Sequence, residues 1–151
     1  MFKLSKRSLG RLDGVDERLA AVVTAAIYKS RVDFGVICGM RTLEEQRELV
    51  EKGASQTMKS KHLSGHAVDL MAYCGSRASW ELNLYDDIAD AVAEAAREVD
   101  VPIVWGAAWT VPNIAQYSEG TMEDAMNSYI DVRRSQGRRP FIDGPHFELV
   151  V

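Results

Sequence analysis

The chain has three histidines, and each stands close to a carboxylate in one of two segments that lie far apart in sequence. His62 and His66 belong to Ser60-Lys61-His62-Leu63-Ser64-Gly65-His66-Ala67-Val68-Asp69. His146 belongs to Asp143-Gly144-Pro145-His146-Phe147-Glu148, close to the end. Imidazole with carboxylate is a zinc-type ligand set. A site drawn from both segments demands a fold that returns the end of the chain to its middle.

Composition narrows the class. A chain of 151 residues is expected to form one domain, here 1–151, with ordinary globular proportions of 46% hydrophobic and 26% charged residues. No stretch approaches the roughly 20 apolar residues of a membrane span, so stable membrane insertion is not expected. The start, Met1-Phe2-Lys3-Leu4-Ser5-Lys6-Arg7, is basic but has no apolar segment or small-residue cleavage site behind it. That pattern argues against a secretory signal and for synthesis in a cytosol. A net charge of −4 argues against a general nucleic-acid binder. Cys38 and Cys74 have no metal-knuckle spacing and read as small buried hydrophobes. The cluster Arg133-Arg134-Ser135-Gln136-Gly137-Arg138-Arg139 has two readings: cations complementing a helix C-terminus, or a contact surface for an anionic polymer or membrane.

The periodicities predict interspersed helices and strands. Leu19, Val22, Val23, Ala26 and Ile27 recur at helical spacing over 16–29, and the β-rich run 32–38 follows. Thr42-Leu43-Glu44-Glu45 has capping-box form and Gly53 supplies a stop, giving a helix over 43–52. A strand is expected over 67–73, a helix marked by Leu84, Ile88, Val92 and Ala95, and a short strand over 101–105. An irregular stretch, 106–141, holds one more helix near 122–134, and 147–151 closes the chain as a strand. Without a βαβ rhythm, this order predicts an α+β domain on a small, mostly antiparallel sheet.

Spacing limits which groups can share a metal. A helical His62/His66 pair would share one face, but Leu63-Ser64-Gly65 is a poor helix interior and no glutamate stands between the two. If 67–73 is a strand, Asp69 shares a face with Ala67 and Met71, His62 approaches from the preceding loop, and His66 is less well placed. Asp143, three residues before His146 across Gly-Pro, suits a carboxylate that handles a proton while His146 binds the ion. On spacing alone, a catalytic zinc site, a structural metal and surface or capping residues all remain open.

Ser60-x-His62-x-x-Gly65-x-Ala67-x-Asp69 followed late by Asp143-x-x-His146 resembles the zinc D,D-carboxypeptidase and L-alanyl-D-glutamate endopeptidase family of cell-wall enzymes, and within it the short phage endolysins. The likeness extends through Gly39-Met40-Arg41-Thr42, Trp105-Gly106 and Pro145-His146-Phe147-Glu148. The chain departs from it at Trp105-Gly106-Ala107-Ala108-Trp109, where many relatives carry Trp-Gly-Gly-Asp-Trp, and in a longer stretch from Thr110 to Ile142 that is expected to border the cleft.

The resemblance implies the hedgehog-like D,D-peptidase fold and Zn2+ held by His62, Asp69 and His146. It further implies Asp143 as the catalytic carboxylate, Arg41 as the residue that steadies substrate or oxyanion, and no ligand role for His66. The implied substrate is the peptidoglycan stem peptide, cut between L-alanine and D-glutamate. The implied setting is a phage host's cytoplasm, from which the protein reaches the cell wall once a holin opens the inner membrane; a monomer is the default expectation. A D,D-carboxypeptidase removing terminal D-alanine and an inactive metal-stabilised binding domain are the alternatives. Glu148, alternating with Phe147 and Leu149, either orients His146 or faces solvent. Trp105 and Trp109 either line a groove or pack in the core.

Overall fold

The computed structural model describes residues 1–151. Ten elements alternate along the chain: α1 (Lys6–Arg11), α2 (Glu17–Lys29), β1 (Asp33–Cys38), α3 (Leu43–Glu51), β2 (Ala67–Cys74), β3 (Arg77–Ser79), α4 (Leu82–Val99), β4 (Ile103–Trp105), α5 (Met122–Ser135) and β5 (His146–Leu149). Single 3-10 turns at Lys61–Ser64 and Ile114–Gln116 complete it. The strands form one sheet in the order β1-β2-β5-β4, with β3 also on β2, and every pairing is antiparallel.

Local chemistry explains the helix boundaries. Asp16 caps α2 by accepting from the Arg18 amide, and Leu19, Val22, Val23, Ala26 and Ile27 form its buried face. Thr42 and Glu45 make a reciprocal capping box on α3, and Thr121 with Asp124 makes another on α5. The buried side of α4 is rich in alanine (Ala89, Ala91, Ala93, Ala95 and Ala96), which lets α2 and α5 approach closely. Val68, Leu70 and Ala72 of β2 point into the same core, together with Phe147, Leu149, Ile103 and Trp105 from the neighbouring strands. With period two, the other face of β2 carries Ala67, Asp69 and Met71.

Several expectations need adjustment. Helix α1 and strand β3 have no counterpart in the predicted elements. Trp105 is fully buried and stacks on Phe147, so it belongs to the core rather than to a groove. Cys74 is exposed and Cys38 only half-buried, contrary to the expectation of two buried thiols. The longer stretch from Thr110 to Ile142 mostly packs away from the histidines: Met122, Ala125, Met126 and Tyr129 of α5 are buried and α5 lies on α4. Only its end, at Phe141 and Ile142, returns toward them.

Candidate metal centre

The sheet register brings the two histidine segments together. Asp69 of β2 stands opposite His146 of β5 on one side and opposite Cys38 of β1 on the other, where a bulge between Val36 and Cys38 shifts the pairing. His62 arrives from the turn before β2. Ser60 caps that turn by accepting from the His62 amide, and Gly65 ends it at φ 76° with its Cα against the Gly14 carbonyl, where no side chain fits.

Each imidazole is oriented by a second bond. His62, 2% exposed, has Nδ1 2.9 Å from the Gly39 carbonyl oxygen and Nε2 3.3 Å from Asp69 Oδ2. His146 has Nε2 2.9 Å from Glu148 Oε1 and Nδ1 3.2 Å from Asp69 Oδ1. Glu148 is fixed in turn by Lys61 at 2.9 Å. With Nδ1–H of His62 donating to Gly39 and Nε2–H of His146 donating to Glu148, both remaining ring nitrogens face Asp69. This is the tautomer arrangement that metal-binding histidines require.

The expected site residues are neighbours here, with one division. Donor atoms of Asp69, Asp143 and His146 lie within 4.8 Å of one another, as do those of Cys38, His62 and Asp69. Asp69 is common to both groups and the two histidines are in different ones, with ring centroids 5.4 Å apart. Arg41 donates from Nη1 to Gln46 Oε1 at 2.7 Å and from Nη2 to Cys38 Sγ at 3.2 Å, and that same Nη2 lies 3.8 Å from Asp69 Oδ2. His66 lies elsewhere, bonded to Ser64 and near Asp16.

Asp143 is set by backbone rather than by a side-chain bond. Its amide donates to the Gly106 carbonyl at 2.8 Å, and the Gly106 amide donates to the His146 carbonyl at 2.8 Å. Trp105 adds an indole N–H to the Gly144 carbonyl at 2.8 Å, fixing the turn between Asp143 and His146. A Cβ at Gly106 would overlap the Asp143 carbonyl oxygen and sit 2.9 Å from His146 Cβ.

Electrostatics mark the cluster as short of positive charge. Burial disfavours the imidazolium of His62, but the hydrogen bonds it makes to Asp69 and Cys38 outweigh it and raise its pKa to about 10. Burial likewise opposes the His146 charge, and Asp69 and Glu148 carry it up to about 9. Asp69 is buried too, yet the two histidines hold its carboxyl well below the usual range. Asp143 moves the other way, raised first by burial and then by the neighbouring Asp69. A bound cation meets the demand that protons satisfy in its absence.

The donor set fits zinc: two imidazoles with committed far nitrogens and a carboxylate between them. The 3.2 Å contact of His146 runs to Asp69 Oδ1 and the 3.3 Å contact of His62 to Oδ2, so the carboxylate presents one oxygen to each ring.

Sequence reasoning missed Cys38, Gln46 and Gly106. The Cys38 thiol is 3.6 Å from His62 Nδ1. Burial works against its thiolate, but His62 and Arg41 keep its pKa below the ordinary value. Gln46 is fully buried and ties Arg41 to Ser55 through its amide. A cross-strand bulge and a polar helix face leave no spacing signal by which either could be found. Gly106 was visible only as part of Trp105-Gly106.

Two imidazoles and two carboxylates gathered on a small antiparallel sheet form a centre of the metal-hydrolase class. The profile of the phage L-alanyl-D-glutamate peptidase family matches residues 1–150. An L-alanyl-D-glutamate peptidase of Escherichia phage T5 is 28% identical over 153 residues, covering 99% of this chain and 98% of that protein. One from Listeria phage A118 is 37% identical over 71 residues, covering 47% of this chain and 24% of that protein. Among solved structures, the Serratia marcescens L-Ala D-Glu endopeptidase ChiX superposes with a TM-score of 0.71 at 34% identity, covering 99% of this chain and 90% of that one. This chain belongs to the phage L-alanyl-D-glutamate peptidase family.

Proposed function

We propose that the protein is a zinc-dependent endopeptidase that hydrolyses the L-alanyl-D-glutamate bond of peptidoglycan stem peptides. The observation that carries this reading is Asp69, set between His62 and His146 with Asp143 at its side. His62, Asp69 and His146 would hold the ion, and Gly39 and Glu148 keep the rings aimed. Bound there, zinc supplies Lewis-acid polarisation of the scissile carbonyl and acidification of water.

The chain's own residues do the remainder. Asp143, raised by burial and by Asp69, accepts a proton from the attacking water and returns it to the leaving amine of D-glutamate. Arg41, held by Gln46 and Cys38, presents a fixed positive charge to the oxygen that becomes anionic. Trp109, with its ring 5.8 Å from that of His146 and stacked on Phe141, keeps bulk water from one side.

Family membership supports the choice of bond over D,D-carboxypeptidase activity. Mass analysis of digested muropeptides tests it. The endopeptidase leaves L-alanine on muramic acid and frees peptides beginning with D-glutamate. Release of D-alanine alone would assign the carboxypeptidase. No helix is long and apolar enough to cross a membrane. We infer a monomer that reaches the wall when a holin-type lesion opens the host inner membrane, and loss of lysis in a holin-negative host would bear this out.

A further inference from the structure

A cavity of about 440 Å³ shares Asp143 with the centre, and Trp80, Leu82, Ile142 and Pro145 line it. The chemistry described so far has no use for Trp80. Its neighbours in size, Trp105, Tyr85 and Phe147, are buried, whereas Trp80 is 65% exposed. The indole lies nearly parallel to the Tyr85 ring, at 13° with centroids 6.4 Å apart. Tyr85 is itself anchored: its hydroxyl donates to the Ser79 carbonyl at 2.7 Å and accepts from the Ala72 amide at 3.1 Å. A flat apolar surface is thus backed by a rigid residue and faces outward at the edge of the cleft.

Peptidoglycan chemistry says what should lie there. L-Alanine is joined by an amide to the lactyl ether of muramic acid, so only a handful of bonds separate the scissile carbonyl from a pyranose ring. A site that places that carbonyl beside Asp143 must accommodate the sugar close by. The C–H face of a pyranose packs on an indole while its hydroxyls stay in water, which suits an aromatic that is backed on one side and open on the other. Leu82, Ile142 and Pro145 offer apolar wall to the lactyl methyl, and the volume falls within the roughly 300–1,000 Å³ of small-ligand sites.

We propose that Trp80 is the stacking platform for the muramic acid that carries the stem peptide, which makes it a specificity residue for glycan-linked substrate. This rests on the L-alanyl-D-glutamate reading.

The test compares two substrates: a muropeptide disaccharide-tetrapeptide and the same tetrapeptide without sugar. Trp80→Ala should lower kcat/KM on the muropeptide by about tenfold, the size of one aromatic stacking contact, and leave the free tetrapeptide within about twofold of wild type. Trp80→Leu, which keeps an apolar cover over Tyr85, should lose as much as alanine, and Trp80→Phe should recover most of the rate. Equal losses on both substrates would make Trp80 merely structural and overturn the proposal, as would an unchanged rate on the muropeptide. Wild-type protein that cuts neither substrate would instead overturn the underlying reading of the bond cleaved.

Discussion

Gly106→Ala probes how Asp143, the carboxylate proposed to move the proton, is placed. A methyl at 106 would overlap the Asp143 carbonyl oxygen and lie 2.9 Å from His146 Cβ and 3.2 Å from Asp143 Cβ. Carbon atoms at ordinary contact stand about 3.5–4.0 Å apart, so the Asp143–His146 turn must move by roughly half to one ångström. It cannot move freely, because hydrogen bonds of 2.8 Å tie Gly106 to Asp143 and His146 in both directions. Overpacking of this kind costs about 1–3 kcal/mol of stability. A displacement near 1 Å of a reacting group costs about 100-fold in rate. The variant should therefore lose roughly two orders of magnitude in kcat on muropeptides and melt about 2–10 °C lower. Stopped digests analysed by mass, with a melting curve on the same sample, measure both. A variant with wild-type kcat and wild-type melting would refute the idea that backbone packing at 106 sets Asp143.

Further outcomes follow from the same contacts. Glu148→Gln should weaken zinc binding by about 10- to 100-fold in a chelator competition while the fold persists, because the carboxylate that orients His146 is lost. Without metal, His62 titrates at about 10 and His146 at about 9. Both are raised above their unfolded values, so their contribution to the stability of metal-free protein is full below about pH 6.5 and vanishes as pH rises through about 9 to 10. Zinc must displace both protons, so its affinity should climb by up to about 100-fold per pH unit between pH 7 and 9. Calorimetry in buffers of different ionisation enthalpy counts those protons, and a count near zero would remove the histidines from the ligand set. Asp86, 5% exposed, is raised to about 6 by burial and then by Asp87, Glu123 and Asp90. Its ionisation costs folded-state stability as pH rises from about 4 to 6, so Asp86→Asn should stabilise the protein at pH 7 by at most about 3 kcal/mol. Urea melts at pH 4 and pH 7 check this, and a gain at pH 4 as large as at pH 7 would contradict it.

What could be read from the chain reflects the range of the forces involved. Helices α2, α3 and α5 were legible because caps and apolar periods are local: Asp16, Thr42 and Thr121 announce their starts. Helix α1 was not, because Lys6–Arg11 carries four charged or small polar groups among its six residues and buries only Ser8, which accepts from the Val36 amide of β1. Strand β3 is three residues long and makes sense only beside β2. The histidine and aspartate motifs stood out because they gather uncommon residues at close spacing; their meeting depends on β2–β5 register, which no local pattern encodes. Cys38 shows the same limit from the other side. It reads as an ordinary small apolar residue in β1, and only the bulge after Val36 brings it beside Asp69 and His62.

Crystals loaded with zinc and measured at the zinc absorption edge put the central claim to its most direct test. One anomalous peak should lie within about 2.0–2.2 Å of His62 Nε2, an Asp69 oxygen and His146 Nδ1, with Asp143 outside bonding distance. A peak seated on the Cys38 sulfur with His62 and Asp69, leaving His146 unbound, would contradict it.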